Sequence, residues 1–346
     1  DTIELLLDAE QNGVKLTKTY VFRRGQYQID LSHAVINTTA EAIVPSVYVQ
    51  LVRDGSKLEG DSAFYSTFNG PAIYTATEKF RKVSFEDIEK AKNAPPVSTS
   101  DGWIAMVQHY FVTAFLPTAK GPHELFTRKI DNNLYAVGSI MSMGSIAPGA
   151  SASLSGKLFA GPQESAALEQ FATDFDLVKD YGWLTIIAKP IFWLMEQIQK
   201  VLSNWGWTII VLTILIKLAF WPLTNASTRS MKRMSTLQPQ MNAIREKYKS
   251  DPTKMNQKTM EFMKEHRINP MAGCLPLVLT FPVFIGFFFM LRTAIELRGE
   301  SFLWCCDLSR PDSVYVVPGL GFIPLLGIPG IGLPLNIMPV LYLATA

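Results

Sequence analysis

The stretch NWGWTIIVLTILIKLAFWPLTNAST, residues 204–228, decides the architecture. Lys217 is its one charge. A bilayer core of about 30 Å needs about 20 apolar helical residues, so the stretch is long enough for one span. Trp205 and Trp207 mark the interface where that span begins. Working outward, Asn269 to Leu291 carries no charge and is read as a second span. Ser313 to Ala346 carries none in 34 positions, but Pro318, Pro324, Pro329, Pro334 and Pro339 interrupt it. Such a run cannot be one clean helix. It is read as irregular or re-entrant over 314–335, with a span starting near Asn336 that the end of the sequence cuts off.

Composition agrees with a partly membranous chain. Of 346 residues 48% are hydrophobic and 18% charged, against roughly 25% charged in soluble proteins. Thirty-two basic residues against 30 acidic ones give a net charge of +2, without the basic excess of a dedicated nucleic-acid binder. Three cysteines make no disulfide framework. Four scattered histidines, His33, His109, His123 and His266, suggest no metal cluster, and no cofactor is expected.

The flanks set orientation. Residues 229–268 hold ten Lys/Arg and four Asp/Glu, whereas 292–312 hold three and four. The positive-inside rule places 229–268 in the cytoplasm and 292–312 outside, with the N-terminal region outside as well. An exported N-terminal region needs a signal, and Asp1-Thr2-Ile3-Glu4 is not one. The sequence is therefore read as truncated at both ends, beginning after an N-terminal anchor.

Residues 1–162 read as an all-β domain. Tyr27, Ile29 and Leu31 alternate with polar neighbours, as do Val47, Val49 and Leu51, and Trp103 to Leu116 is a long aromatic and β-branched run. Turns are placed at Asp54-Gly55, Asn69-Gly70-Pro71, Pro95-Pro96, Asn132-Asn133 and Pro148-Gly149. The domain is either a plain sandwich or one with a peptide or sugar cleft that no residue locates. Residues 163–182 read as a helical connector with Leu168, Phe171, Phe175 and Val178 on one face. Residues 183–203 mix Trp183, Ile186, Phe192 and Trp193 with Lys189, Glu196 and Lys200, and suit a helix lying in the membrane interface. An amphipathic helix packed on the outer domain is the alternative.

Lys217 is the most informative position. An ammonium inside a span costs about 2.5–3.5 kcal/mol on insertion scales. Thr213 and Thr224 fall near the same helical face at i−4 and i+7, outlining a polar groove, while Leu212 is read as lipid-facing. Snorkelling of the Lys stem to the interface is the competing reading. Ser203 and Ser227 lie too far along the helix for a serine–lysine nucleophile.

Within 229–268, Met231, Met234, Leu237, Met241, Ile244 and Tyr248 recur every three or four residues, decorated by Arg233, Arg245 and other basic residues. Asp251-Pro252 breaks that helix, and Thr253 to His266 forms a second arm of a hairpin. Seven of the thirteen methionines lie in 229–271. They suit either a surface that accepts varied apolar partners or simple packing between the arms. The basic face suits anionic phospholipid or the ribosome's RNA. Cys274 is read as a small core residue, and no redox role is expected of Cys305-Cys306, which strain keeps from bridging each other.

Five stretches together resemble the YidC-type membrane protein insertases, relatives of the mitochondrial oxidase-assembly and chloroplast thylakoid insertases. They are GWIAMVQHYFVTAFLP (102–117), NWGWTIIVLTILIKLAFWPLT (204–224), LQPQMNAIREKY (237–248), INPMAGCLPLVLTFPVFIGFFFML (268–291) and ELRGESFLWCCDLS (296–309). The resemblance implies a multidomain membrane protein of the bacterial inner membrane. A periplasmic β-super-sandwich would precede an α-helical transmembrane core with a cytoplasmic helical hairpin. It implies insertion of nascent hydrophobic membrane proteins, alone or beside the Sec translocon, with no enzyme activity and no small-molecule substrate. It also implies a groove enclosed by five core spans. The groove's basic residue, usually Arg, aligns with Lys217. The first anchor and the last two core spans of the family pattern are missing here, and Cys305-Cys306 replaces the residues that usually follow the loop tryptophan. A scaffold or assembly chaperone without insertion activity remains as the alternative. A transporter lacks the repeated hydropathy pattern, and an enzyme lacks a triad, carboxylate pair or phosphate loop.

Overall fold

Asn12-Gly13 opens the molecule on a two-residue hairpin. Both residues have positive φ (49° and 75°), the conformation that matches the right-handed twist of the strands it joins. In a computed structural model, residues 1–56, 67–90, 92, 98–118, 121–249, 251–266, 271–317 and 333–337 are described. They divide into two units, Asp1–Asp180 and Tyr181–Ala346.

The first unit is built from eleven strands: β1 (Thr2–Gln11), β2 (Val14–Arg23), β3 (Gln28–Asn37), β4 (Ser46–Asp54), β5 (Gly70–Thr75), β6 (Lys79–Lys82), β7 (Trp103–Val107), β8 (Phe111–Pro117), β9 (His123–Asp131), β10 (Leu134–Ser142) and β11 (Ser151–Pro162). Eight form one sheet in the order β1-β2-β3-β11-β8-β7-β5-β6, and three form a second in the order β4-β10-β9. Leu31, Ile73, Ile104, Met106, Phe115 and Leu154 of the large sheet meet Val47, Leu125, Val137 and Met141 of the small one. A short helix α1 (Phe85–Glu89) closes one margin, where Glu89 accepts hydrogen bonds from Lys129 (2.7 Å) and Tyr135 (2.8 Å).

The opposite face of the large sheet is also buried. Helix α2 (Ser165–Phe171) and a 3₁₀ turn (Phe175–Val178) bring Leu168, Phe171, Phe175 and Val178 against Tyr74, Trp103, Val112 and Phe159. The connector is thus two short helical pieces rather than one, docked on the sandwich. The Trp103 indole donates to the Thr173 carbonyl (3.1 Å), and the Tyr74 hydroxyl to Asp174 (2.7 Å). Burial on both faces explains why β5 and β7 are buried at every position; β5 begins at Gly70 and Pro71, which the sequence reading placed in a turn.

The long run Trp103 to Leu116 is two strands, not one. The turn between them is held by buried Gln163, whose side-chain amide donates to the carbonyls of Gln108 (2.7 Å) and Phe111 (3.2 Å).

The second unit is helical. A 3₁₀ turn (Gly182–Leu184) leads into α3 (Thr185–Leu202), followed by α4 (Trp205–Lys247), α5 (Pro252–Glu265) and α6 (Met271–Thr293). The sequence reading placed a span at 204–228 and a hairpin arm after it. The structure has one 43-residue helix there, continuous through Pro222 and Pro239. Asp251 caps α5 by accepting from the Lys254 amide (3.1 Å), with Pro252 at its first position. Ala188, Phe192 and Met195 of α3 pack with Leu212 of α4 and Met290 of α6. A further 3₁₀ turn (Ile295–Leu297) follows α6. The expectation of irregular chain over 314–335 is corrected at its margins. There β12 (Ser313–Val317) pairs antiparallel with β13 (Leu333–Asn336). Residues 318–332 and the span expected from Asn336 onward, apart from its first two residues, lie outside the described residues.

Candidate functional site

Helix α4 starts because Asn204 caps it, its side-chain oxygen accepting from the Trp207 amide (3.2 Å). Its packed stripe runs through Thr208 and Leu212, about 40° apart, while Gly206, about 120° around the axis from Leu212, is buried separately under Phe302. Leu212 is therefore not lipid-facing. It is fully buried between α3 and α6, which corrects the sequence reading. Ile214, Leu215, Leu218 and Trp221 are exposed. At 100° per residue, Thr213, Thr224 and Lys217 lie about 100–140° around the axis from Leu212. They flank the packed stripe and share one side of the helix.

The chemistry of the three differs from a simple polar stripe. Thr213 donates its hydroxyl hydrogen to the Ile209 carbonyl (2.8 Å), and Thr224 to the Phe220 carbonyl (3.0 Å). These are bonds to the preceding turn, which spend each hydroxyl's proton within the helix. Lys217 is the contrast. Its side chain is exposed and makes no ion pair or hydrogen bond among the described residues. An ammonium thus projects from the apolar part of the helix, and none of its three donors is taken up among the described residues.

The hairpin residues separate by burial. Met241 is buried, Met234 is half-buried, and Met231 is 56% exposed. Met241 is thus not available at the surface, and Met231 is left as an outward apolar side chain. Arg233 and Arg245 are both exposed.

The segment read as an interfacial helix has an outward side that mixes apolar and basic residues. Trp183 is 78% and Ile186 is 88% exposed, with Trp193, Val201, Lys189 and Lys200 also outward. Buried Thr208 was missed altogether. It donates to the Gln199 side chain (2.7 Å) and ties the end of α3 to the start of α4. Nothing in the local pattern distinguishes it from the other hydroxyls of that helix.

Among the described residues, α4 is the one helix long and apolar enough to cross a membrane by length and composition. The apolar part of α6 that can be judged runs Val278–Thr293.

Two family descriptions match in tandem: the YidC periplasmic domain over residues 1–194, and the 60Kd inner membrane protein over residues 197–346. A membrane protein insertase YidC of Janthinobacterium sp. (strain Marseille) is 59% identical over 315 residues, covering 91% of this chain and 56% of that protein. Those of Herminiimonas arsenicoxydans and Cupriavidus necator are 55% and 51% identical, covering 90% and 92% of this chain and 55% and 57% of theirs. The chain thus spans about half the length of the curated relatives it matches. Among solved structures, a galactose mutarotase related enzyme from Lactobacillus acidophilus is 10% identical. It covers 46% of this chain and 68% of its own at a TM-score of 0.31, a likeness too low to bear on function. The matched domains run in order along the whole chain, and the identities hold across both units: this chain belongs to the YidC family.

Proposed function

We propose that the protein inserts newly made hydrophobic segments into the bacterial inner membrane, with Lys217 as the cation of a substrate groove. The observation that carries this is the exposed ammonium of Lys217, without an ion pair or hydrogen bond among the described residues, set amid apolar neighbours on a family-matched helix. A substrate's polar flank has to cross about 30 Å of hydrocarbon. A water-lined path beside α4 shortens that distance, and Lys217 draws acidic residues of the flank into it. At 4 Å and an effective dielectric of 20 such an attraction is about 4 kcal/mol, larger than the roughly 2.5–3.5 kcal/mol the ammonium costs in a span. Apolar segments then leave sideways into lipid. Thr213 and Thr224 line the same side and retain lone pairs for water. The work is attraction and desolvation, with no bond made or broken and no cofactor.

On this reading α4 and α6 span the membrane, and the first unit is periplasmic. Helix α3 lies in the interface, with Trp183 and Trp193 at headgroup level and Lys189 and Lys200 toward anionic phospholipid. The α4–α5 hairpin is cytoplasmic. There Met231, Met234, Arg233 and Arg245 meet the ribosome, the emerging chain or the Sec translocon, while buried Met241 does not.

The test is photo-crosslinking in membranes. A crosslinking amino acid is placed at Thr213, with a control at exposed Leu218, and stalled ribosomes present a single-span substrate at increasing chain lengths. Crosslinks from position 213 should appear and then fade. Lys217→Ala should weaken them several-fold, while Lys217→Arg keeps the charge and should keep the signal. Crosslinks persisting at every length, unchanged in Lys217→Ala, would instead identify a holding chaperone.

A further inference from the structure

The joint between α3 and α4 is held from three directions, and one of them comes from 96 residues away. Helix α3 ends at Ser203 in the left-handed conformation (φ 53°), its amide donating to the Gln199 carbonyl (2.8 Å). Asn204 then caps α4, and Thr208 bonds both Gln199 and the Asn204 carbonyl. The third restraint is Phe302. Its ring lies directly on Gly206, where a Cβ would come within 2.1 Å of two ring atoms. It also meets Trp207 edge-on at 5.4 Å between centroids.

Phe302 is poorly placed to swing away. It is buried, and it exchanges two backbone hydrogen bonds with Cys305 (2.8 and 2.9 Å), closing a tight loop through Leu303 at φ 53°. Leu297 and Leu308 hold the same segment against the α3–α4–α6 core. Asp307 fastens it internally, accepting from the amides of Gly299 (3.0 Å) and Ser309 (2.9 Å). The ring is therefore delivered to Gly206 by a rigid support, and the glycine supplies the space it occupies.

We propose that Gly206 and Phe302 are a size-matched pair that sets the bend between α3 and α4 and thereby places Lys217. Phe302 is on this account a positioning residue of the groove, and the idea rests on Lys217 being the groove's cation. The leverage is large. Lys217 lies eleven residues beyond Gly206, about 16 Å along the helix. Tilting α4 by about 10° at Gly206 moves the ammonium by roughly 3 Å at that lever arm, the difference between contact with a carboxylate and a gap filled by water.

The experiment uses the full-length protein in lipid bilayers, with spin labels at exposed Ile186 on α3 and exposed Leu218 on α4. Gly206→Ala should shift the distance between labels by about 3 Å at the lever arm above and lower insertion of a single-span substrate several-fold. Phe302→Ala should broaden the distance distribution. Gly206→Ala combined with Phe302→Ala should restore both distance and insertion toward the parent protein. That rescue also keeps the test readable if Gly206→Ala alone fails to accumulate, and no merely structural role predicts it.

An unchanged distance in Gly206→Ala, or a double variant no better than the single, would overturn the proposal. So would a shifted distance with undiminished insertion in a protein where Lys217→Ala is harmful. If Lys217→Ala is itself silent while the distances shift and recover, the groove reading falls and the bend-setting pair stands.

Discussion

Trp103 and Trp183 show how differently the two units treat the same residue. Trp103 sits in the large sheet with Tyr74 stacked at 5.6 Å, Phe175 edge-on at 4.9 Å and its N–H bonded to Thr173. Trp183 stands in the open at the start of α3. The contrast extends to neighbours. Ile104, Phe115 and Phe159 are buried on all sides, whereas Ile186, Trp193, Trp221, Val278, Phe281 and Phe284 face outward. In the first unit, apolar side chains find one another. In the second, a minority form the α3–α4–α6 core, and the rest face outward on α3, on the apolar part of α4 and on α6. Helix amides are satisfied within the helix, so such helices need no water, while a sheet edge does. Strand β1, an edge strand, exposes Ile3, Leu5 and Leu7, and single apolar side chains such as Ile36 and Ile130 are exposed elsewhere on the first unit.

Three substitutions test this contrast. The largest effect belongs to Trp103→Ala, which empties a site buried on both faces of a sheet and should destabilise the first unit by about 3–5 kcal/mol. Chemical denaturation of the intact protein, followed by hydrogen exchange in β7, reads it. A loss under about 1 kcal/mol, the size of an ordinary substitution, would mean that this core does not carry the unit. Next comes a matched pair of exposed positions. Phe284→Asp should cost about 2.5–3.5 kcal/mol in membrane integration if α6 faces lipid, whereas Ile130→Asp on the sandwich should stay within about 0.5 kcal/mol in unfolding. Equal tolerance at both sites would break the comparison, because it would put both in water.

The smallest effect concerns Glu89, whose carboxyl is held below its usual value of 4.5 by hydrogen bonds from Lys129 first and then Tyr135. The folded state prefers the ionised form, so this contribution is present above pH 4.5 and lost as pH falls through the lower folded value. Glu89→Gln should flatten the acid side of the first unit's stability profile below that pH and leave neutral-pH insertion unchanged. A profile identical to the parent's would assign the pair no role in stability.

Much of this was legible along the chain, and the reasons vary by element. Alternation placed Leu31 and Val47 inward because each strand faces the core on one side. The same logic could not divide Trp103–Val107 from Phe111–Pro117. Both are buried on two faces or nearly so, and no Gly or Pro marks the turn between them, which depends instead on Gln163. Length and charge defined the apolar part of α4 but not its continuation to Lys247. A Pro inside a helix removes one hydrogen bond without obliging the chain to turn. The residues proposed for the groove came from spacing on one face. That spacing could not show which of the two flanking directions is packed, and so Leu212 was placed on the wrong side.

The sequence alone determined the division into strand-forming and helix-forming halves, the position of the one charge in the apolar stretch 204–228, and the family. These are local or linear properties, set by side-chain period, chain length and motif order. Only the tertiary structure decided which side of α4 is packed, that the hydroxyls of Thr213 and Thr224 turn back on their own helix while the Lys217 side chain is exposed, and that Phe302 rests on Gly206. The last of these joins residues 96 positions apart, and a glycine's missing side chain carries no sign of the ring that will occupy its place.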